Sequence, residues 1–192
     1  MIAQTTDRRE IADENLIKQI AEGNKLAMRA LFARHQVRVY RFALRIVRDS
    51  ALAEDVVSET FIDAWQHAGR YEGRSTASTW LLGIARHKVF SARPRFEHVT
   101  VEDDMLEANG DSEDPGAALQ ARDRASVLRH CITRLSDEHR EIIDLVYYHE
   151  QSVDAVATIL GIPHNTAKTR VFYARRRLGD ELKKSGLDWT VM

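Results

Sequence analysis

Residues 152–178 read SVDAVATILGIPHNTAKTRVFYARRRL, and their spacing predicts two short helices joined by a tight turn. Val153, Val156, Ala157 and Leu160 recur at helical intervals. Gly161 supplies the permissive backbone of a helix C-cap, and Pro163 bars simple continuation of the same helix. Asn165 or Thr166 is positioned to cap a second helix. Ala167, Val171, Ala174 and Leu178 form its inward stripe, while Lys168, Thr169, Phe172, Arg175 and Arg176 lie opposite. A small apolar seam that locks two helices and leaves a basic outer face is the layout of a helix-turn-helix, whose second helix enters the major groove. The bland alternative is a helical corner with a solvated basic face. The small residue Ala157, the turn at Gly161 and Ile162, and Val171 favour the DNA-reading form, because together they allow a close crossing and fix its angle.

Outward from this segment the chain is predicted to be helical. Its 192 residues, 44% of them hydrophobic, suffice for one domain or two small ones. Only three prolines and nine glycines occur, and no alternating run reaches strand length. No apolar segment approaches the roughly 20 residues that span a bilayer. Residues 1–15 lack the apolar core of a secretory signal. Cys131 is the single cysteine, so no intramolecular disulfide can form. These features together predict a cytoplasmic protein.

The formal charge of −1 conceals a division. Residues 97–114 hold eight Asp or Glu and no Lys or Arg; the rest of the chain carries 28 basic against 21 acidic side chains, a net of +7. Residues 96–115 are therefore expected to be a flexible acidic linker, extended by self-repulsion. One role for it beyond solubility is to brush basic surfaces and discourage non-specific DNA contact.

Before the linker, Met28, Phe32, His35, Val39, Phe42 and Ile46 are spaced by four and three residues along one face of a long helix. His35 on that face reads as a core histidine, not a metal ligand. Asp49 and Ser50 break the pattern, and a second helix follows with the stripe Leu52, Val56, Thr60 or Phe61, and Ala64, with Trp65 beside it. Residues 69–78, GRYEGRSTAS, form a loop, and a third helix over 79–92 carries Trp80, Ile84 and Val89. After the linker, Leu119 to Leu135 are expected to be helical, and Ser136 caps a helix containing Ile142, Ile143, Leu145 and Val146.

Residues 53–89, AEDVVSETFIDAWQHAGRYEGRSTASTWLLGIARHKV, resemble conserved region two of bacterial sigma factors. Residues 135–182, LSDEHREIIDLVYYHEQSVDAVATILGIPHNTAKTRVFYARRRLGDEL, resemble their region four. The order of the blocks, the linker and the short length resemble the extracytoplasmic-function group, which retains these two domains. The resemblance implies an all-α fold of two small helical domains: region two over 1–95, the acidic linker over 96–115, and region four over 116–192 with its helix-turn-helix at about 153–172.

The same resemblance implies roles. The helix over 52–65 would dock on a coiled coil of core RNA polymerase, with Asp55, Val56, Glu59, Ile62 and Asp63 as contacts; Asp55, Glu59 and Asp63 make an acidic ridge at four-residue spacing. The loop and helix after it would capture the −10 promoter element. Tyr71, Arg74, Ser75, Thr76 and Ser78 offer stacking and hydrogen bonds to an unstacked base, and Arg86 and Lys88, with Arg93 and Arg95, offer phosphate contacts. Many relatives carry an aromatic and then a basic residue where Ala77 and Ser78 stand here. In region four, Asn165, Thr166, Lys168 and Thr169 would reach base edges of the −35 element, and Arg170, Arg175 and Arg176 would hold phosphates. Neutralising about six phosphates would make affinity fall roughly a thousandfold between about 50 and 200 mM salt. The family usually places valine where Ala167 stands.

The function this implies is that of an alternative sigma factor, which recruits core RNA polymerase to promoter DNA and helps to melt it. An anti-sigma factor that competes for residues 52–65 and for the region-four surface is the expected inhibitor. The alternative is a helix-turn-helix regulator that acts without recruiting polymerase. An enzyme is disfavoured: there is no HExxH, no paired Cys ligands and no glycine-rich phosphate loop. Thus no catalytic residue, metal ligand or cofactor is expected.

Overall fold

Asn24 and Asp49 divide the first part of the chain into helices. The Asn24 side chain accepts from the amides of Leu26 and Ala27 (2.9 and 3.1 Å), and Asp49 accepts from Leu52 N (2.9 Å), each satisfying donors that a helix start leaves open. They open α2 (Lys25–Val47) and α3 (Ser50–His67), which follow α1 (Asp13–Ala21) and precede α4 (Ala77–Ala92). The structure, a computed structural model, describes residues 12–92 and 115–186. They fall into two units, with no strand among the described residues. The expected acidic linker lies outside them, apart from Pro115.

In the first unit, Leu16, Ile17 and Ile20 of α1, Leu31, Val39 and Phe42 of α2, Val56 and Phe61 of α3, and Leu81, Leu82 and Val89 of α4 are buried. Each contributes about 1.5–3 kcal/mol on burial. The face predicted for α2 is offset: Leu31, Val39 and Phe42 centre it, while Phe32 lies at its edge, 36% exposed and in edge contact with the ring of Phe61 (4.8 Å). His35 is buried as expected, its Nε2 2.6 Å from Asp13 Oδ2; Arg34 Nη1 donates to Asp13 Oδ1, also at 2.6 Å. Burial pushes the Asp13 carboxyl up, but Arg34 and His35 outweigh it and hold the group below its ordinary value. One carboxylate thus ties α1 to α2. Arg48 ends α2 with φ 54°, a left-handed conformation that costs an L residue about 1–2 kcal/mol; its amide donates to Leu44 O (2.8 Å), and its charge suits the helix C-terminus.

The second unit holds α5 (Pro115–Thr133), α6 (Asp137–Ile143), α7 (Val153–Leu160) and α8 (His164–Lys184). Pro115 opens α5, at a position where the missing amide costs nothing. Ser136 caps α6 as expected, accepting from His139 N (3.4 Å). Arg140 donates to the carbonyls of Thr133 (2.8 Å), Leu135 (3.1 Å) and Ile132 (3.4 Å), so one guanidinium closes the end of α5.

The helix expected to continue through Val146 rewinds at Asp144. Residues Asp144–Tyr148 form a π turn, and His149 N donates to Asp144 O (3.1 Å). The rewinding brings Asp144 Oδ2 to 3.2 Å from His149 Nε2, both side chains being buried. Ser152 then caps α7 through Ala155 N (3.2 Å).

Candidate nucleic-acid interface

Gly161 adopts φ 65° after α7, and Ile162 N returns to Ala157 O (3.1 Å), which closes the helix end. Helix α8 begins at once. Pro163, not Asn165 or Thr166, is its cap residue: Ala167 N bonds Pro163 O (3.0 Å), and no side chain caps the end. Pro163 fixes the entry into the helix through its φ of −59° and ψ of 145°, and offers no side-chain acceptor to the first-turn amides. Asn165 and Thr166 therefore stand within the first turn, exposed. His164 Nδ1 meets Asp154 Oδ1 (2.7 Å), tying α8 to α7 across the turn.

The two faces of α8 are the expected ones. Ala167, Val171, Ala174 and Leu178 are buried, and Leu182 extends the stripe. Lys168, Thr169, Phe172, Arg175 and Arg176 are exposed, Phe172 by 61%. Arg170, expected to hold a phosphate, has an ionic partner in this structure. Its side chain is 24% exposed and lies 3.4 Å from Glu138 of α6, so its charge is engaged within the unit. Glu138, His139, Asn165, Thr166, Thr169, Arg170 and Tyr173 line one shallow groove. Tyr147, from the π turn, packs its ring 5.4 Å from the Arg175 guanidinium, a cation–π contact that steadies an otherwise free side chain.

In the first unit, the outer face of α3 presents Asp55, Glu59 and Ile62, the last 57% exposed. Two residues expected with them differ. Val56 is 4% exposed and belongs to the core beneath that face, because it sits one helical step from Val57 and Thr60 on the packed side. Asp63 is half-buried, with its carboxylate shared by His67 and by Lys88 Nζ (2.8 Å). Lys88, expected to reach a phosphate, is thereby held to α3.

The segment before α4 is closely built. Residues Ala68–Arg70 make a 3-10 turn, and Gly73 takes φ 70°. Tyr71 donates its hydroxyl to Ser75 O, and its ring lies 5.2 Å from that of Trp80. Burial, with the charges of Glu14 and Asp13, raises the Tyr71 phenol above its ordinary value, so it stays a donor. Thr76 Oγ1 accepts from Thr79 N (3.2 Å) and is 2.9 Å from Thr79 Oγ1. Helix α4 starts at Ala77, two residues before the expected position, because Thr76 caps it and Ala77 packs into the core at 1% exposure. Ser78 consequently lies in the first helical turn, accepting from Arg38 Nη1 (3.0 Å). Arg74 is exposed beside Glu72, and Arg86 lies over Phe90 at 4.7 Å.

Arg38, Tyr147 and Glu138 were not foreseen as neighbours of these sites. Arg38 and Ser78 are 40 residues apart, and no local periodicity links them. A signal that would have found Arg38 is the spacing of arginines along α2. Among the described residues no cluster of His, Cys, Asp or Glu is placed to hold a metal ion, and no helix is long and apolar enough to cross a membrane.

The comparisons with known proteins agree with this arrangement. The Sigma-70 region 2 family matches residues 31–95, and the Sigma-70 region 4 family matches residues 126–178. The ECF RNA polymerase sigma factor SigL of Mycobacterium tuberculosis (strain H37Rv) is 36% identical over 163 residues, covering 83% of this chain and 91% of that protein. The RNA polymerase sigma-H factor of Pseudomonas aeruginosa is 29% identical over 181 residues, 89% of this chain and 94% of the relative. Among solved structures, CnrH in complex with the cytosolic domain of CnrY aligns with a TM-score of 0.65 at 26% identity, over 90% of this chain and 97% of that one. The sigma factor RpoE of Bartonella quintana, in complex with the anti-sigma factor NepR, aligns with a TM-score of 0.59 at 26% identity, over 79% and 94%. With both conserved regions matched in order, and a relative at this identity spanned almost end to end, the chain belongs to the extracytoplasmic-function family of RNA polymerase sigma factors.

Proposed function

We propose that this sigma factor divides promoter engagement between its two units as follows. The outer face of α3, with Asp55, Glu59 and Ile62, docks on core RNA polymerase. Its carboxylates orient the encounter, and the exposed isoleucine supplies apolar area at the contact's centre. Tyr71, Arg74, Ser75 and Thr76, at the start of α4, take the −10 element and hold a base drawn out of the stack. Asn165, Thr166, Lys168 and Thr169 of α8 read the −35 element, and Arg175 and Arg176 grip its phosphates. The protein contributes no bond chemistry of its own; it works in the cytoplasm by binding.

What carries this reading is the conjunction of region two and region four in one chain, with a recognition helix whose reading face is exposed and whose opposite face is buried. An anti-sigma factor is the proposed inhibitor, covering the α3 face and the α8 unit. The structural relative RpoE is bound by such a factor.

Reconstitution with core RNA polymerase tests the proposal. The complex is expected to initiate at a discrete promoter that core polymerase alone ignores, and Glu59→Lys is expected to lower core binding without weakening region-four contacts with DNA. Tight operator binding by the isolated protein, with no initiation on adding core, would sink it.

A further inference from the structure

Helix α2 carries an arginine stripe that the roles above leave unused. Arg34, Arg38, Arg41 and Arg45 are spaced by four, three and four residues, which puts them along one side of the helix, and Arg48, its left-handed C-cap, follows three residues later. The 23 residues of α2 include no Asp or Glu. Like charges at these spacings destabilise a helix, and no acidic residue of α2 itself relieves them.

The two ends of the stripe differ. Arg34 is bound to Asp13 of α1. Arg41 and Arg48 are exposed, and among the described residues neither meets a carboxylate. Between them Arg38 donates to Ser78 in the first turn of α4 (3.0 Å), two residues after the Thr76 cap. The stripe is therefore continuous with the surface proposed above for the −10 element. A helix wall whose exposed cations extend a proposed DNA-contacting loop matches the regularly spaced charges of a phosphodiester backbone.

We infer that the α2 arginines form an additional phosphate track for promoter DNA, with Arg41 and Arg48 as direct contacts and Arg38 as the hinge that joins the track to the −10 loop. This rests on the −10 reading of residues 71–78. The track positions the DNA and carries no base specificity.

The test is the salt dependence of promoter binding by the reconstituted holoenzyme. Each lost phosphate contact lowers the slope of log affinity against log salt by about 0.7–0.9. The double variant Arg41→Gln/Arg48→Gln is expected to lose about 1.5 from the slope, across promoters of different −10 sequence. Arg41→Lys/Arg48→Lys is expected to keep it, and binding to core polymerase is expected to be unchanged in both. A duplex promoter and a fork with a single-stranded −10 element are assayed side by side; loss on either supports the track and tells which form it follows. Tyr71→Ala serves as the reference for the −10 loop. If Tyr71→Ala abolishes opening while the double glutamine variant keeps the full slope, the track is wrong and the −10 reading stands. If Tyr71→Ala also leaves opening intact, that reading fails and the track with it. Loss of core binding in the glutamine variant, with the slope unchanged, would assign the stripe to polymerase and overturn the inference.

Discussion

Lys88 Nζ of α4 lies 2.8 Å from Asp63 Oδ2 of α3, and the same carboxylate also meets the ring of His67. One side chain that the sequence assigned to polymerase and another that it assigned to DNA thus hold each other. The hydrogen bond from Lys88 is the chief reason the Asp63 carboxyl sits below its ordinary value of 3.8; burial opposes it, and His67 adds to it. Because the folded value is the lower one, the bridge contributes fully above the ordinary value. Its contribution is lost as pH falls through the folded value. Both side chains are 25% exposed, so the contribution is about 0.5–1 kcal/mol. Asp63→Asn is expected to destabilise the first unit by that amount at about pH 7 in urea denaturation, and the difference from wild type should shrink as pH falls below the ordinary carboxylate value and close once the folded carboxyl is protonated. A difference that persists in acid would mean the carboxylate's charge is not what matters.

Tyr71 gives a prediction about opening rather than stability. Its hydroxyl holds Ser75 O, and its ring packs against Trp80, so the loop is shaped from both ends of one side chain. Tyr71→Phe keeps the ring and removes only the hydrogen bond, which costs about 0.5–1.5 kcal/mol. Promoter melting followed by the reactivity of unpaired thymines is expected to fall a few-fold in Tyr71→Phe and much further in Tyr71→Ala. Core binding should be unaffected in both. Equal losses in the two variants would put the function in the hydroxyl rather than in the stacking ring.

The helix-turn-helix was legible because its determinants are local. Gly161, Pro163 and the stripe from Ala167 to Leu178 act within a few residues of one another, and periodicity captures them. Where local signals compete, the sequence misplaces an end: Asn165 and Thr166 are good caps by type, yet Pro163 starts the helix before them. The offset on α2 has a similar origin. Met28, Phe32 and Ile46 outrank Ala27 and Ala43 in hydrophobicity, but the alanines lie where neighbouring helices pack closest. The pairing of distant segments is not recorded in local spacing. Arg38 with Ser78, Asp63 with Lys88 and Arg170 with Glu138 are set by helix packing, which residue spacing does not record. These are the contacts that remove Lys88 and Arg170 from the set of unengaged cations.

The π turn makes a prediction about the second unit. Asp144 and His149 are buried against each other, their side chains 9% and 3% exposed. Removing one member takes a polar contact away from a poorly solvated place, a loss of about 1–3 kcal/mol. His149→Ala and Asp144→Ala are each expected to destabilise the unit by about that much, and the double variant by clearly less than their sum. Additive losses in urea denaturation would show that the two side chains act independently.

The last prediction separates reading from gripping on α8. Asn165 stands exposed in the first turn, where a side chain reaches base edges. Arg176 stands three turns further along the exposed face, where the groove wall is backbone. Loss of a base contact is selective, whereas loss of a phosphate contact is uniform across sequences. Arg176→Ala is therefore expected to weaken binding equally to the true −35 element and to scrambled DNA, and to reduce the salt slope by about 0.9. Asn165→Ala is expected to cost about 1–3 kcal/mol on the true element, little on scrambled DNA, and nothing in the slope. Arg170→Ala makes the internal control: with its guanidinium engaged by Glu138, it should change the slope less than Arg176→Ala does. If Arg170→Ala lowered the slope as much, Glu138 would have to release it on binding. The variant Glu138→Gln would then raise affinity rather than leave it unchanged.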